Sequence, residues 1–118
     1  MTLPKAVRLR EFLRRLGTLP AAANHDQARA QIDGTLNAVE DEWSGVVFNP
    51  AHWRTDGRMY PAQDDSAADV DGYPGVTSYR HRVHETFIAE NGAFEIRDLA
   101  RDVVLIEKLG ADGKGVWS

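Results

Sequence analysis

One dipeptide, Asn91-Gly92, narrows the folds open to this chain more than any other feature. It lies between two runs rich in β-forming residues, Tyr79 to Ala89 and Ala93 to Arg97. Asn-Gly readily takes the two positive φ angles of a type I′ turn, which predicts a β-hairpin closed by a two-residue loop. On that register Ala89 opposes Phe94, Phe87 opposes Ile96 and Thr86 opposes Arg97. Opposed residues share a face, and each strand alternates faces with period two. One face is then Tyr79, His81, Val83, Glu85, Phe87, Ala89, Phe94 and Ile96, the core side. The other is Arg80, Arg82, His84, Thr86, Ile88, Glu95 and Arg97. A slip of one residue would exchange the faces.

Two helices are expected ahead of the hairpin. Leu3 to Leu16 carries Leu9, Phe12, Leu13 and Leu16 at helical spacing, with Pro4 in its first turn and Gly17 at its C-terminal cap. Lys5, Arg8, Arg10, Arg14 and Arg15 cover the rest and read as a solvated basic face, or as a contribution to anion binding. The second helix starts at Asn24, with Gln27 three residues on as in a capping box. Ala28, Ile32, Leu36, Val39 and Trp43 form its core-facing stripe. Gly34 weakens its middle, and Glu40, Asp41 and Glu42 crowd an end where the helix dipole disfavours them. His25 reads as an exposed polar residue.

Between the helices and the hairpin, residues 45–48 suggest a short strand. From Asn49 to Gly75 the periodicity dissolves among Pro50, Gly57, Pro61, Gly72, Pro74 and Gly75. Loops this long inside a small domain usually have a role. Trp53, Met59, Tyr60 and Tyr73 would anchor this one over the sheet or beside a pocket. Asp64, Asp65, Asp69 and Asp71 read as solvated charge, since their order lacks the EF-hand pattern of a calcium site. After the hairpin, Asp98 to Asp102 makes a turn. Val103 to Glu107 is apolar enough for a central strand. Gly110 to Gly115 reads as a flexible tail segment, with Val116 and Trp117 docking back. At 118 residues the chain is expected to form one domain, 1–118. The fold class is therefore α+β: two N-terminal helices packed on a small antiparallel β-meander, with a long irregular central loop.

Charge and composition limit the function classes. The net charge is -4, which argues against a general nucleic-acid binder, although the first helix and the hairpin are locally basic. With no cysteine there is no disulfide and no thiolate zinc site. No apolar run has membrane-spanning length and the N-terminus lacks a secretory pattern, so no membrane partner and a cytoplasmic location are expected. On the expected polar face His84 is an available proton shuttle, with Thr86 and Glu95 beside it. Arg80, Arg82 and Arg97 can hold phosphate in bidentate fashion. These are parts for metal-independent phosphodiester cleavage in which a ribose 2′-hydroxyl is the internal nucleophile. The catalytic candidates are thus His84, Thr86 and Glu95, the phosphate-binding candidates Arg80, Arg82 and Arg97, and neither metal nor cofactor is required. RNA or a small anionic ligand would be the partner. The plainer reading is a solvated strand face whose charges pair across strands. His81 and His84, three apart on one strand, point to opposite faces and do not share an ion. His52 reads as an exposed loop histidine, and no serine sits in a nucleophile elbow.

The C-terminal half resembles the nuclease-type domains found at the ends of bacterial polymorphic toxins. The matching residues are 57–61 (Gly-Arg-Met-Tyr-Pro), Tyr79-Arg80, Arg82, His84, Thr86-Phe87-Ile88, Asn91-Gly92-Ala93, Glu95-Ile96 and the run Gly110 to Lys114. Val83 stands where the pattern has a small, flexible residue. The resemblance implies a barnase-type helix-plus-sheet fold, ribonuclease activity, and Arg80, Arg82, His84 and Thr86 as site residues. With its own initiator methionine and no delivery region, the chain is expected to be a free-standing relative. The alternative expectation is a non-enzymatic interaction or regulatory module, an inhibitor or scaffold acting on a protein partner.

Overall fold

The computed structural model describes residues 5–43, 66–81 and 83–118. The expected strand at 45–48 and most of the central loop, with Trp53, Met59, Tyr60, His52, Asp64 and Asp65, lie outside the described residues, as does Arg82. Two helices, α1 (Lys5–Thr18) and α2 (His25–Trp43), precede five strands: β1 (Ser66–Asp69), β2 (Val76–His81), β3 (His84–Ala89), β4 (Phe94–Asp98) and β5 (Val103–Lys108). The strands form one antiparallel meander in the order β1-β2-β3-β4-β5. The α+β class expected from the sequence is the one observed. No described helix is long and apolar enough to cross a membrane.

Both helices lie on one face of the sheet because their apolar stripes have nowhere else to go. Phe12 and Leu16 of α1 and Ala28, Ile32, Leu36 and Val39 of α2 are buried against Tyr79, Ile88, Phe94 and Ile96. Truncating one of the larger members to alanine typically costs about 3–5 kcal/mol. The capping box is present: Asn24 Oδ1 accepts from the Gln27 amide at 2.9 Å, and Gln27 Oε1 accepts from the Ala23 amide at 3.0 Å. At the end of α1, Lys108 Nζ donates to the carbonyls of Leu16 (3.0 Å) and Leu19, the first of which also accepts from the Leu19 amide at 3.3 Å. Burial without a carboxylate partner pushes the Lys108 pKa below its ordinary value. Arg14 and Arg15 both donate to Glu11, so the basic face of α1 is partly neutralised within the helix.

The hairpin register departs from the expected one. Ala89 pairs with Ala93, through Ala89 N to Ala93 O at 2.9 Å, and the loop is the three residues Glu90, Asn91 and Gly92. Only Gly92 has positive φ, +90°, so a type I′ turn is absent. The geometry is that of a type I turn followed by a left-handed glycine. The reason lies in what Asn91 bonds to. Its Oδ1 accepts from the Ala93 amide at 3.1 Å, and its Nδ2 donates to Asp112 Oδ1 at 2.9 Å and to the Lys114 carbonyl at 3.1 Å.

The run expected to be one long strand is also broken. His81 pairs with His84, so a two-residue turn separates β2 from β3. Each of these two turns inverts the alternation expected for β3 and leaves β2 and β4 as expected. Tyr79, Phe94 and Ile96 face the helices, as predicted. His84, Thr86 and Ile88, expected to face outward, face the helices too. Glu85, Phe87 and Ala89 face away from them.

The segment 110–115, expected to be flexible, is a tight loop locked onto this hairpin. Gly110 N donates to the Lys114 carbonyl at 2.9 Å, and Ala111 N to the Ala22 carbonyl at 2.8 Å. A Cβ on Gly92 would stand 2.3 Å from the Ala22 oxygen, and one on Gly110 2.3 Å from the Asn91 oxygen. Hydrogen bonds from the Lys114 amide and from Asn91 hold the Asp112 carboxyl below its usual pKa. As expected, Val116 and Trp117 dock back, against a second apolar cluster of Val76, Ala89 and Ala93. The third expected strand, β5, is an outer strand of the meander, with Val103 and Val104 43% and 45% exposed.

Gly92→Ala is expected to destabilise by at least about 2 kcal/mol, since it combines left-handed strain with a backbone collision. Gly113→Ala has φ +79° but open space around its Cβ, so its cost should stay near 1 kcal/mol. Urea unfolding of both variants checks the difference. Arg14 and Arg15 hold the Glu11 pKa down to about 2 from its ordinary 4.5. A carboxylate with a depressed folded-state pKa contributes stability above its unfolded value and loses it as pH falls through the folded one. Wild type and Glu11→Gln should therefore differ most at neutral pH and converge as pH drops from about 4.5 to about 2, as followed by denaturant unfolding across that range.

Candidate functional site on the outer sheet face

The sheet face turned away from the helices, here the outer face, carries most of the described polar chemistry. Strand pairing arranges it in lateral rows. Arg80 on β2 opposes Glu85 on β3, which opposes Arg97 on β4. The next row is Ser78, Phe87, Glu95 and Glu107. A carboxylate thus sits between two guanidinium-bearing residues on adjacent strands, with two further carboxylates, Glu95 and Glu107, one row away.

Hydrogen bonds fix these groups. Glu85 accepts from Ser78 Oγ at 2.6 Å on one oxygen and from Arg80 Nη2 at 3.4 Å on the other. Glu95, only 3% exposed, accepts from Arg97 Nη2 at 3.0 Å and from the Trp117 indole N–H at 3.4 Å. The Arg97 guanidinium stands 6.0 Å from the Phe87 ring centre, and its Nε is buried with no hydrogen-bond partner among the described residues. Trp117 packs edge-on against Phe87 at 4.9 Å and against Tyr73 at 4.8 Å. Aromatic rings thus pack around a guanidinium with one N–H donor to spare among the described residues. Such a donor is costly to bury unless something else accepts from it.

The sequence-predicted residues divide between the two faces. Arg80, Glu95 and Arg97 share the outer face. His84 and Thr86 lie on the helix side, 5% and 0% exposed, where Asp98 and Ile96 oppose them. The expected grouping of His84 and Thr86 with Glu95 and Arg97 is therefore corrected by the register, because two tight turns of different length invert β3 alone. Arg82 lies outside the described residues. Glu85, Ser78 and Trp117 join the site although sequence reasoning passed over them. The awkwardness of Glu85 on a core-facing strand was the available signal.

A second group also escaped the sequence reading. His25, expected to be exposed, is half-buried, and its Nε2 shares a 2.8 Å hydrogen bond with the Tyr79 hydroxyl. Arg29 Nη1 donates to the same hydroxyl at 3.4 Å and stacks over the ring at 5.1 Å. Tyr79 was placed correctly on the core side, and a buried phenol requires a polar partner. Residues 25 and 29 are one helical turn apart and supply it. Compared with family models, with curated proteins and with solved structures, the chain finds no match.

Proposed function

We propose that the outer face binds and cleaves RNA phosphodiesters without needing a metal ion. The observation that carries this reading is the lateral row Arg80–Glu85–Arg97. Two guanidiniums can clasp a phosphate bidentately, and a carboxylate between them is placed to act as a base. Glu85 takes the proton of the ribose 2′-hydroxyl, whose oxygen attacks the adjacent phosphorus. Arg80 and Arg97 stabilise the charge that accumulates on the phosphoryl oxygens. The P–O5′ bond breaks and the leaving oxygen takes a proton from water. Glu95 positions Arg97 through its 3.0 Å bond. Phe87 and Trp117 offer ring faces beside the row for a base. His84 and Thr86 support the strand from its buried side. The likeness of 57–115 to toxin-tip nucleases points the same way.

A second reading, a non-enzymatic interaction module, is favoured by β5. Its exposed Val103 and Val104 form an apolar outer strand of the kind that proteins use to pair with a partner. The net charge of -4 also opposes RNA at long range.

Cleavage of a mixed-sequence RNA, followed by gel in the presence of a chelator, separates the two. Glu85→Gln is expected to lower cleavage at least about a hundredfold. It should leave retention on an RNA column, and the fall of that retention with salt, nearly unchanged. Arg97→Ala should lower both. Wild-type protein that neither cleaves RNA nor is retained at low salt removes the ribonuclease reading and leaves the interaction module.

A further inference from the structure

A cavity of about 570 Å³ opens on the helix side of the sheet, at the start of α2 and away from the outer face. Its volume is within the range of small-molecule sites, about 300–1,000 Å³. His25, Asp69, Tyr73, Thr77, Tyr79 and Glu90 are among its walls, and no described lining residue is lysine or arginine. The polar groups it presents are acceptors in excess. Asp69 and Glu90 contribute two carboxylates, and Thr77 adds a hydroxyl. None of these three side chains is paired with another described residue. The Tyr79 hydroxyl is bonded to the His25 imidazole and to the Arg29 guanidinium, the latter not itself a lining residue. Gly75 creates the room for Glu90, since a Cβ there would stand 2.7 Å from the Glu90 carboxyl carbon. Tyr73, 43% exposed, contributes a ring to the wall.

We propose that this cavity is a binding site for a small organic cation, a protonated primary amine. Asp69 and Glu90 are its counter-charges, Thr77 is an acceptor, and Tyr73 is a π-face against its charged end. An anion is disfavoured by two carboxylates with no cation among the described lining. A neutral ligand leaves both carboxylates uncompensated. An ammonium has three donors and no acceptor, which matches the lining. The ring adds an electrostatic attraction for the same charge. The site goes beyond the RNA reading and does not rest on it: Asp69, Glu90 and Thr77 are no part of the Arg80–Glu85–Arg97 row, although Tyr73 also packs on Trp117. Since both carboxylates face solvent, affinity in the millimolar range is expected.

The experiment titrates full-length protein with butane-1,4-diamine and, separately, with its uncharged analogue butane-1,4-diol, following amide chemical shifts. Saturable shifts with the diamine, centred on β1, β2 and the start of α2, are expected, and none with the diol. Asp69→Asn and Glu90→Gln should each weaken diamine binding up to about fivefold, and the double variant more than either. Both side chains are exposed, so wild-type circular dichroism is expected of these variants and gives the check on folding. Three results overturn the proposal: a diol that binds as tightly as the diamine, a folded double variant that binds the diamine as well as wild type, or displacement of the diamine by an equal concentration of calcium chloride, which would identify a metal site.

Discussion

Three stretches of backbone meet where there is room for no side chain. Gly92 presses on the carbonyl of Ala22, Gly110 on that of Asn91, and Ala111 donates to Ala22 in turn. The interhelical connection, the central hairpin and the loop after the last strand are thereby tied at one point. Asn91 completes the tie through Asp112 and the Lys114 carbonyl. The rest of the architecture depends on this contact, because it sets the hairpin loop at three residues. That choice determines which side chains of β3 and β4 stand opposite one another.

The same contact gives a physical account of residues that stand out in the sequence. Asn91, Gly92, Gly110, Asp112 and Lys114 all belong to the tie. A sequence pattern built from them reports a way of closing a sheet. The polar chemistry is one consequence of that closure. With β3 turned over relative to the simplest expectation, Glu85 is brought between Arg80 and Arg97, and His84 is carried to the helix side.

What could be read from the sequence was local. The stripe of Ala28, Ile32, Leu36 and Val39, the Asn24–Gln27 cap and the alternation of Phe94 and Ile96 against Glu95 and Arg97 each depend on residues a few positions apart. The α+β class follows from them. The side of the sheet that β3 presents does not. It depends on Asn91 finding partners about twenty residues further on, and on a turn between His81 and His84 that contains no glycine, proline, asparagine or aspartate to announce it. The one hint was Glu85, a charged residue on the face expected to be the core. His25 was passed over for a related reason: its partner, Tyr79, is fifty-four positions away.

Lys108 has a consequence for how the chain reaches this state. The carbonyls that end α1 are satisfied by a side chain from the final strand, and Gly17 of α1 lies against Ile106 of that strand. α1 therefore reaches its full native packing only when a lysine 92 residues after Leu16 returns to it. A contact that joins such distant parts of the sequence closes a long loop, and closure of that kind slows folding.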